Sequence, residues 1–325
     1  MNLLAAMRYL VALDEHRHFG RAAQACHITQ PALSNALRAL EEEYGVPIVR
    51  RSRVYAGLTR EGEAVLAAAQ RMLRESEHLT QELRSTAEQP QGALRLAAIP
   101  TAIPLLSQFV AMLRQRHPGL RPVVLAMSSP QIDRHLEDLS LDLALGYTER
   151  ETSRIRVQVW PVAQEQYYLL RRAAGPAQPA LRFGPSLRWA EAARYPLCQL
   201  TRDMHNRRVI DEALNPQGPA PAPAIETNAL LSLALTVIAG DVAAILSGPM
   251  VASVRSQGEL EALPLVEPAI RTPIGFMALA GQAPSRAVQA ALRLLDDAEW
   301  QAEVARQSAP EANAVRIDEG HSSSE

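Results

Sequence analysis

The stretch HITQPALSNALRALEEEYG, residues 27–45, decides how the rest of the chain is read. At 100° per residue, Gln30, Ser34 and Arg38 share one helical face, with Pro31 and Asn35 beside them. Leu33, Leu37 and Leu40 form the opposite, core-facing stripe. Thr29 suits the N-cap, and Pro31 is tolerated in the first turn because its missing N–H would have no intrahelical partner. A merely solvated face would favour Lys, Glu and Gln. Serine, asparagine and a lone arginine are groups that hydrogen-bond base edges and phosphates.

The neighbouring segments extend this reading. Leu3 to Asp14 predicts a helix with Leu3, Met7, Leu10 and Val11 on its apolar face, and GRAAQAC (20–26) predicts a short second one. Ala22, Ala23 and Ala25 permit close packing of the helix that follows, which makes the pair a helix-turn-helix. Next, VPIVRRSRVYAGLT (46–59) places Ile48, Val49, Val54 and Tyr55 on short strands around Arg50, Arg51, Ser52 and Arg53. A basic hairpin tip beside a helix-turn-helix is a wing, and its natural target is phosphate. Taken singly, each arginine reads equally well as a solvated surface group. The candidate DNA contacts are Gln30, Ser34, Asn35 and Arg38 in the major groove, Thr29, Pro31 and Ala32 in the leading turn, and Arg50, Arg51 and Arg53 on the backbone.

Charge supports a two-part molecule. The chain has 325 residues and a net charge of −2, yet residues 1–60 hold eight arginines against five acids. A basic module on an acidic body suits a DNA reader with a second task. At 47% hydrophobic and 21% charged residues, the composition is that of a globular protein with two or three domains. Two cysteines, Cys26 and Cys198, are too few for a disulfide framework. The N-terminus lacks a secretory leader, and the apolar run at 229–240 is too short for a bilayer. A cytoplasmic protein with no membrane partner is expected.

From Glu63 to Gln89 the sequence contains neither Gly nor Pro, and Val65, Ala69, Met72, Ser76, Leu79, Leu83 and Thr86 alternate by four and three. That seam predicts a rod of about 28 residues, roughly 40 Å, that pairs with an identical helix or packs on its own body. Beyond Ala93, strand and helix patterns alternate: ALRLAAI, a helix from Thr101, RPVVLAM, a helix capped by Ser129, then LDLALGY. This implies an α/β domain with a largely parallel sheet. Ligands of such sheets sit beyond the carboxyl ends of strands, near helix N-termini. Pro100, Thr101, Ala102, Ser128 and Ser129 occupy those positions, as do Thr201, Arg202, Thr227 and Asn228 further on. Each hydroxyl is alternatively a plain helix cap. Arg202 suits a small anion such as a carboxylate, down to the size of formate.

The chain resembles the LysR-type transcriptional regulators. The resemblance is carried by FGRAAQACHITQPALSNALRALEEEYGVPIV (19–49), by Arg51 and Ser52, and by LTREGEAVL (58–66). The order of the remaining segments agrees, so it covers about 300 residues; Arg50 departs, standing where the family often has an acid. It implies an α/β protein with an N-terminal all-α winged helix-turn-helix at 1–58 and a linker and dimerisation helix at 59–89. A two-lobed effector domain like the periplasmic binding proteins would fill 93–302, one lobe being 93–162 with 268–300 and the other 163–267. Residues 303–325 are expected to be disordered. The implied partners are double-stranded operator DNA, further copies in a homodimer or homotetramer, RNA polymerase, and a small-molecule effector between the lobes; no other cofactor is expected.

Enzymatic readings find little support. A Gly-rich phosphate loop, His-Glu-x-x-His and Gly-x-Ser-x-Gly are all absent from the sequence. Cys198 with His205 could form a thiol–imidazole pair, but Cys198 lies in the apolar run PLCQL and reads as a buried, inert thiol. Peroxide-sensing members of the family use a reactive cysteine in the following loop and a second soon after. This chain has neither, so thiol redox sensing is not expected. The alternatives are a two-lobed solute-binding protein or an enzyme with a fused DNA-binding module.

Overall fold

The computed structural model describes residues 2–50, 55–85, 89–149, 155–216, 218, 221–281 and 283–313. It divides into two compact units, Met1–Gln91 with His135–Ser140, and Gly92–Arg134 with Leu141–Glu325.

The first unit contains α1 (Leu3–His16), α2 (Phe19–Ala25), α3 (Gln30–Tyr44) and α4 (Arg60–Arg84). Side chains start each helix: Asn2, His18, Thr29 and Thr59 accept backbone N–H groups of the first turns. Gly45, at φ 66°, ends α3 in the left-handed conformation that glycine adopts freely. Leu10, Leu13, Ala22, Leu33, Leu37, Leu40 and Ile48 form the core, with Tyr55, Val65 and Leu66 packed against it.

Two contacts place the segment that leaves α3. The Glu41 carboxylate accepts the N–H groups of Ile48 (2.8 Å) and Val49 (3.1 Å). Val49 then bridges Leu58 in antiparallel fashion, and Arg50 N–H donates to the Gly57 carbonyl at 3.0 Å. The strand pairing expected around the wing is this bridge; Arg51, Ser52, Arg53 and Val54 lie outside the described residues. Ala69 of α4 is fully buried, so the N-terminal part of the heptad seam packs on its own module. Met72, Leu79 and Leu83 stay exposed, the last two at 60% and 79%; Thr86 lies outside the described residues.

In the second unit the elements run β1 (Gly92–Ala98), a 3-10 turn (Pro100–Ala102), α5 (Ile103–Arg116), β2 (Leu120–Ala126), α6 (Ser129–Glu137), β3 (Leu143–Tyr147) and β4 (Val157–Glu165). Then follow β5 (Tyr167–Arg172), β6 (Arg182–Phe183), β7 (Leu187–Arg188), α7 (Trp189–Ala192), β8 (Leu197–Leu200), α8 (His205–Leu214), β9 (Ile225–Thr227), α9 (Leu230–Ala239), β10 (Ala243–Ser247), α10 (Gly248–Ser253) and β11 (Leu260–Val266). The chain closes with β12 (Thr272–Leu279), α11 (Arg286–Leu294), α12 (Ala298–Ser308) and a 3-10 turn (Pro310–Asn313). One sheet has the order β2-β1-β3-β12-β4; the other runs β6-β11-β5-β10-β8-β9, with β7 beside β11. β1, β2 and β3 are mutually parallel, as are β10, β8 and β9, whereas β5 and β12 run antiparallel to their neighbours.

The chain therefore crosses between sheets after β4 and again after β11. The first crossing falls at Gln166, not at 162/163 as the sequence suggested, because β4 stays paired with β12 up to Glu165. The disordered tail expected from residue 303 is likewise corrected over residues 303–313. Trp300 and Val304 are buried on α12, and the Trp300 ring meets Phe109 at 5.0 Å. Residues 314–325 lie outside the described ones. No helix among the described residues is long and apolar enough to cross a membrane.

Gly62 offers a direct test of the first unit's packing. A Cβ there would sit 2.1 Å from the Ile48 carbonyl oxygen, a backbone atom that cannot swing aside. Gly62→Ala should destabilise the helical module by about 1–3 kcal/mol, the usual cost of overpacking, despite alanine's better helix propensity. Hydrogen exchange across residues 3–85 should show lost protection; unchanged protection would refute the contact.

Candidate functional site

Two places carry candidate chemistry, one in each unit. On α3 the apolar stripe of Leu33, Leu37 and Leu40 is buried, which forces the opposite face outward. Thr29, Gln30, Pro31, Ala32, Asn35 and Arg38 are exposed, Ser34 is half-buried, and Arg50 is exposed on the stem that follows. Thr29 Oγ1 accepts from Ala32 N–H at 3.4 Å, so it is a cap as well as a surface group. The result is a row of short polar side chains with a cation at each end. That row matches the donors and acceptors of base edges, and its cations match phosphate.

The second place is a cavity of about 10 Å³, the room of one water molecule. Pro100, Thr101, Ser128 and Ser129 line it as expected, together with Ile99, Tyr147, Leu200, Met204, His205 and Asn206. These residues stand at the carboxyl ends of β1, β2, β3 and β8 and at the start of α8, where α/β sheets bind ligands. Ser128 is tied to Gln131, whose amide oxygen accepts from both the Ser128 N–H and Oγ. Ser129 is the first helical residue of α6 rather than its cap.

The remaining expected residues are placed elsewhere. Ala102 is buried beside the lining. Thr201 N–H donates to the Thr227 carbonyl at 3.0 Å, and the Thr227 hydroxyl caps the Ala229 N–H at 3.1 Å. Thr201 and Thr227 thus join β8 to β9 and do not line the cavity. Arg202 and Asn228 are exposed; the arginine expected to receive an anion lies on the turn before α8, outside the lining.

Behind the cavity wall lies a buried polar cluster that sequence reasoning missed. Thr101 Oγ1 and the Tyr147 hydroxyl are 3.3 Å apart, and both engage the carboxyl of Glu165, which is 1% exposed. Ser247 is the third partner of that carboxyl. Asn206 engages the hydroxyls of Tyr147 and Tyr167, and Tyr167 in turn bonds Thr272 at 3.0 Å. The His205 ring lies 4.5 Å from that of Tyr147.

Burial drives the titration of this cluster. It pushes the Glu165 carboxyl up to about 7 against the pull of the three hydroxyls, and it pushes Tyr147 and Tyr167 upward too, with the Glu165 charge adding to both. Half-burial lowers the His205 ring, helped by Arg208 and opposed by Glu212. Cys198 is buried and its thiol is pushed up, the reverse of an activated nucleophile. The missed groups shared one signal: Tyr147 ends a fully buried strand, and Glu165 is a carboxylate at the end of a strand leading straight into another.

Two family models match the chain. "Bacterial regulatory helix-turn-helix protein, lysR family" covers residues 4–63, and "LysR substrate binding domain" covers residues 87–300, well over half of the chain. A hydrogen peroxide-inducible genes activator of Pectobacterium carotovorum is 37% identical over 140 residues, 43% of this chain and 46% of that one. The aligned part is thus under half the length of either protein. An SDS degradation transcriptional activation protein from a Pseudomonas species is 28% identical over 301 residues, 91% of this chain and 96% of that one. Among solved structures, CbnR, a LysR family transcriptional regulator, superposes with a TM-score of 0.67 at 20% identity, over 90% of this chain and 99% of its own. Full-length OxyR from Pseudomonas aeruginosa gives 0.66 at 24% identity, over 91% and 98%. Both share the fold.

Glu165 makes a prediction about stability. Its folded pKa is raised, so the folded state holds this proton more tightly than the unfolded chain does. The stability it contributes is fully present below pH 4.5 and is lost as pH rises through about 7. Over that window the decline should be about 3 kcal/mol, and Glu165→Gln should remove it. Thermal melts from about pH 5 to pH 8 give the comparison; equal slopes for both proteins would exclude a raised Glu165.

Proposed function

Because the chain belongs to the LysR family of bacterial regulators, we propose that it is a sequence-specific DNA-binding transcriptional regulator controlled by a small molecule held between its two α/β lobes. The observation that carries this reading is the outward polar row of α3 on a chain that also builds a polar cavity at strand ends. Gln30, Ser34, Asn35 and Arg38 read the major groove, with Thr29, Pro31 and Ala32 in the leading turn. Arg50, Arg51 and Arg53 hold phosphates. A title among its structural neighbours describes full-length CbnR complexed with target DNA, which supports the same target here. Such a protein works in the cytoplasm, where the DNA is.

The protein acts by binding rather than by catalysis. The cavity offers hydroxyls, an amide and an imidazole, and the nearest cysteine in sequence is buried with a raised thiol pKa. A ligand there shifts the equilibrium between lobe arrangements by its differential affinity for them. The exposed Met72, Leu79 and Leu83 on α4 supply a dimer seam, and two-fold pairing sets two recognition helices on two half-sites. Exposed Val123, Val124 and Leu125 on β2 and Leu231 and Leu235 on α9 supply a second apolar surface, enough for a tetramer built through the effector domain.

Duplexes selected from a random pool by the wild-type protein test the first claim. Arg38→Ala should cost on the order of 1–3 kcal/mol on the selected sequence, and Arg50→Ala should weaken every duplex alike and flatten the salt dependence. Wild-type affinity in Arg38→Ala would refute the recognition face. Leu83→Asp should halve the mass seen by light scattering, since an unpaired carboxylate is costly to bury in a seam; a wild-type protein that is already monomeric would refute the dimer.

A further inference from the structure

The cavity described above is walled by side chains that serve a second master. Thr101 and Tyr147 face the cavity, and the same two hydroxyls engage Glu165 behind it. Each hydroxyl has one hydrogen and two lone pairs. When Glu165 is ionised it accepts only, so the hydrogens of the Thr101–Tyr147 pair are drawn inward, one to the partner hydroxyl and the next to the carboxylate. What remains for the cavity is lone pairs. Once Glu165 is protonated it can donate, and one hydroxyl is free to turn its hydrogen toward the cavity.

The surroundings sharpen this. Facing Glu165 are Tyr147 from β3, Tyr167 from β5, Ser247 ahead of α10 and Thr101 from the 3-10 turn, with Asn206 of α8 and Thr272 of β12 completing the chain of hydroxyls. The buried cation nearest in sequence to the cavity, Arg207 of α8, is committed elsewhere: it donates to Asp211 at 2.7 Å and to the Leu200 carbonyl at 2.6 Å. His205 in the wall is held toward its neutral form. An anion entering this cavity would meet lone pairs and a buried carboxyl, with no arginine among the lining residues.

We propose that the cavity takes a small uncharged hydrogen-bond donor in preference to a carboxylate, and that Glu165, acting through Thr101 and Tyr147, is the positioning residue that sets this preference. This rests on the reading of the cavity as the effector site and narrows the class of effector. A molecule of a few heavy atoms fits, because larger ones must first part the lobes. The polarity of the wall reverses as the carboxyl titrates, which burial has moved to about 7.

Formamide and formate are matched in size and differ in charge and in donor capacity, and the formyl proton of each reports binding in saturation-transfer NMR with the full-length protein. At about pH 8, formamide should bind about fivefold or more tighter than formate, the value of one hydrogen bond, and the ratio should narrow by about pH 6. Glu165→Gln should give a ratio that no longer changes with pH, and Thr101→Val should lose the signal of both probes. Preference for formate at about pH 8, a ratio independent of pH in wild type, or signal retained in Thr101→Val would each overturn the proposal, as would absence of binding by both probes. The wild-type pH series stands even where a variant fails to fold. Duplex affinity measured on the same samples keeps the two readings apart: its absence would sink the regulator and leave the probe preference standing, whereas equal probe binding would sink this inference alone.

Discussion

A carboxyl group taken out of water between two sheets constrains everything around it. Glu165 ends β4 at the residue before the chain leaves one sheet for the other. An ionised carboxylate without partners in such a place would cost many kcal/mol, so it must be met by hydrogen bonds or hold its proton. Thr101, Tyr147 and Ser247 meet it, each from a different element. Three strand or helix ends are thereby brought to one point. The cavity wall is the outer surface of that solution, and its chemistry is inherited from the acid behind it.

The helical module rests on a simpler device. Glu41 sits near the end of α3 and takes two backbone N–H groups from the segment that follows, while Thr59 donates its hydroxyl to the Pro47 carbonyl at 2.6 Å and caps α4 through Gly62 N–H at 2.9 Å. The stem bearing Arg50 is therefore fixed to the helix bearing Arg38 through backbone contacts, not through long flexible side chains. Rigid presentation of this kind reduces the entropy lost when a surface docks on a duplex.

Much of this was legible in the sequence, and the reason differs by part. The 3.6-residue period of α3, its cap Thr29 and its glycine stop all describe local geometry, so residues 30–44 could be read without knowing the rest. Strand and helix alternation likewise foretold the α/β layers and placed Thr101 and Ser128 correctly. Thr201 and Thr227 were misjudged because a hydroxyl at a strand end can serve a neighbouring strand as readily as a ligand. Arg202 was misjudged because charge in a sequence carries no direction. Glu165 was missed for a deeper reason: its neighbours lie 64, 18 and 82 positions away along the chain, at Thr101, Tyr147 and Ser247, and no period connects them. The end of α12 was hidden by composition, since AEWQAEVARQS is polar enough to suggest a tail unless Trp300 and Val304 are seen to share a face.

That helix also limits how the lobes can move. α10 follows β10 of one sheet yet packs on α5 and α12, which belong with the other. The approach is tight: a Cβ on Gly248 would stand 2.6 Å from the Ser308 carbonyl oxygen. Just beyond, Glu311 accepts a hydrogen bond from the Tyr168 hydroxyl of β5 at 2.5 Å. The rear of the domain is thus laced from one sheet to the other, opposite in the chain order to the strand crossings that hold its middle. A hinge fastened at its back does not gape; it shears. Any message this domain sends is then a small sliding of packed helices, felt as torsion along the chain rather than as the opening of a jaw.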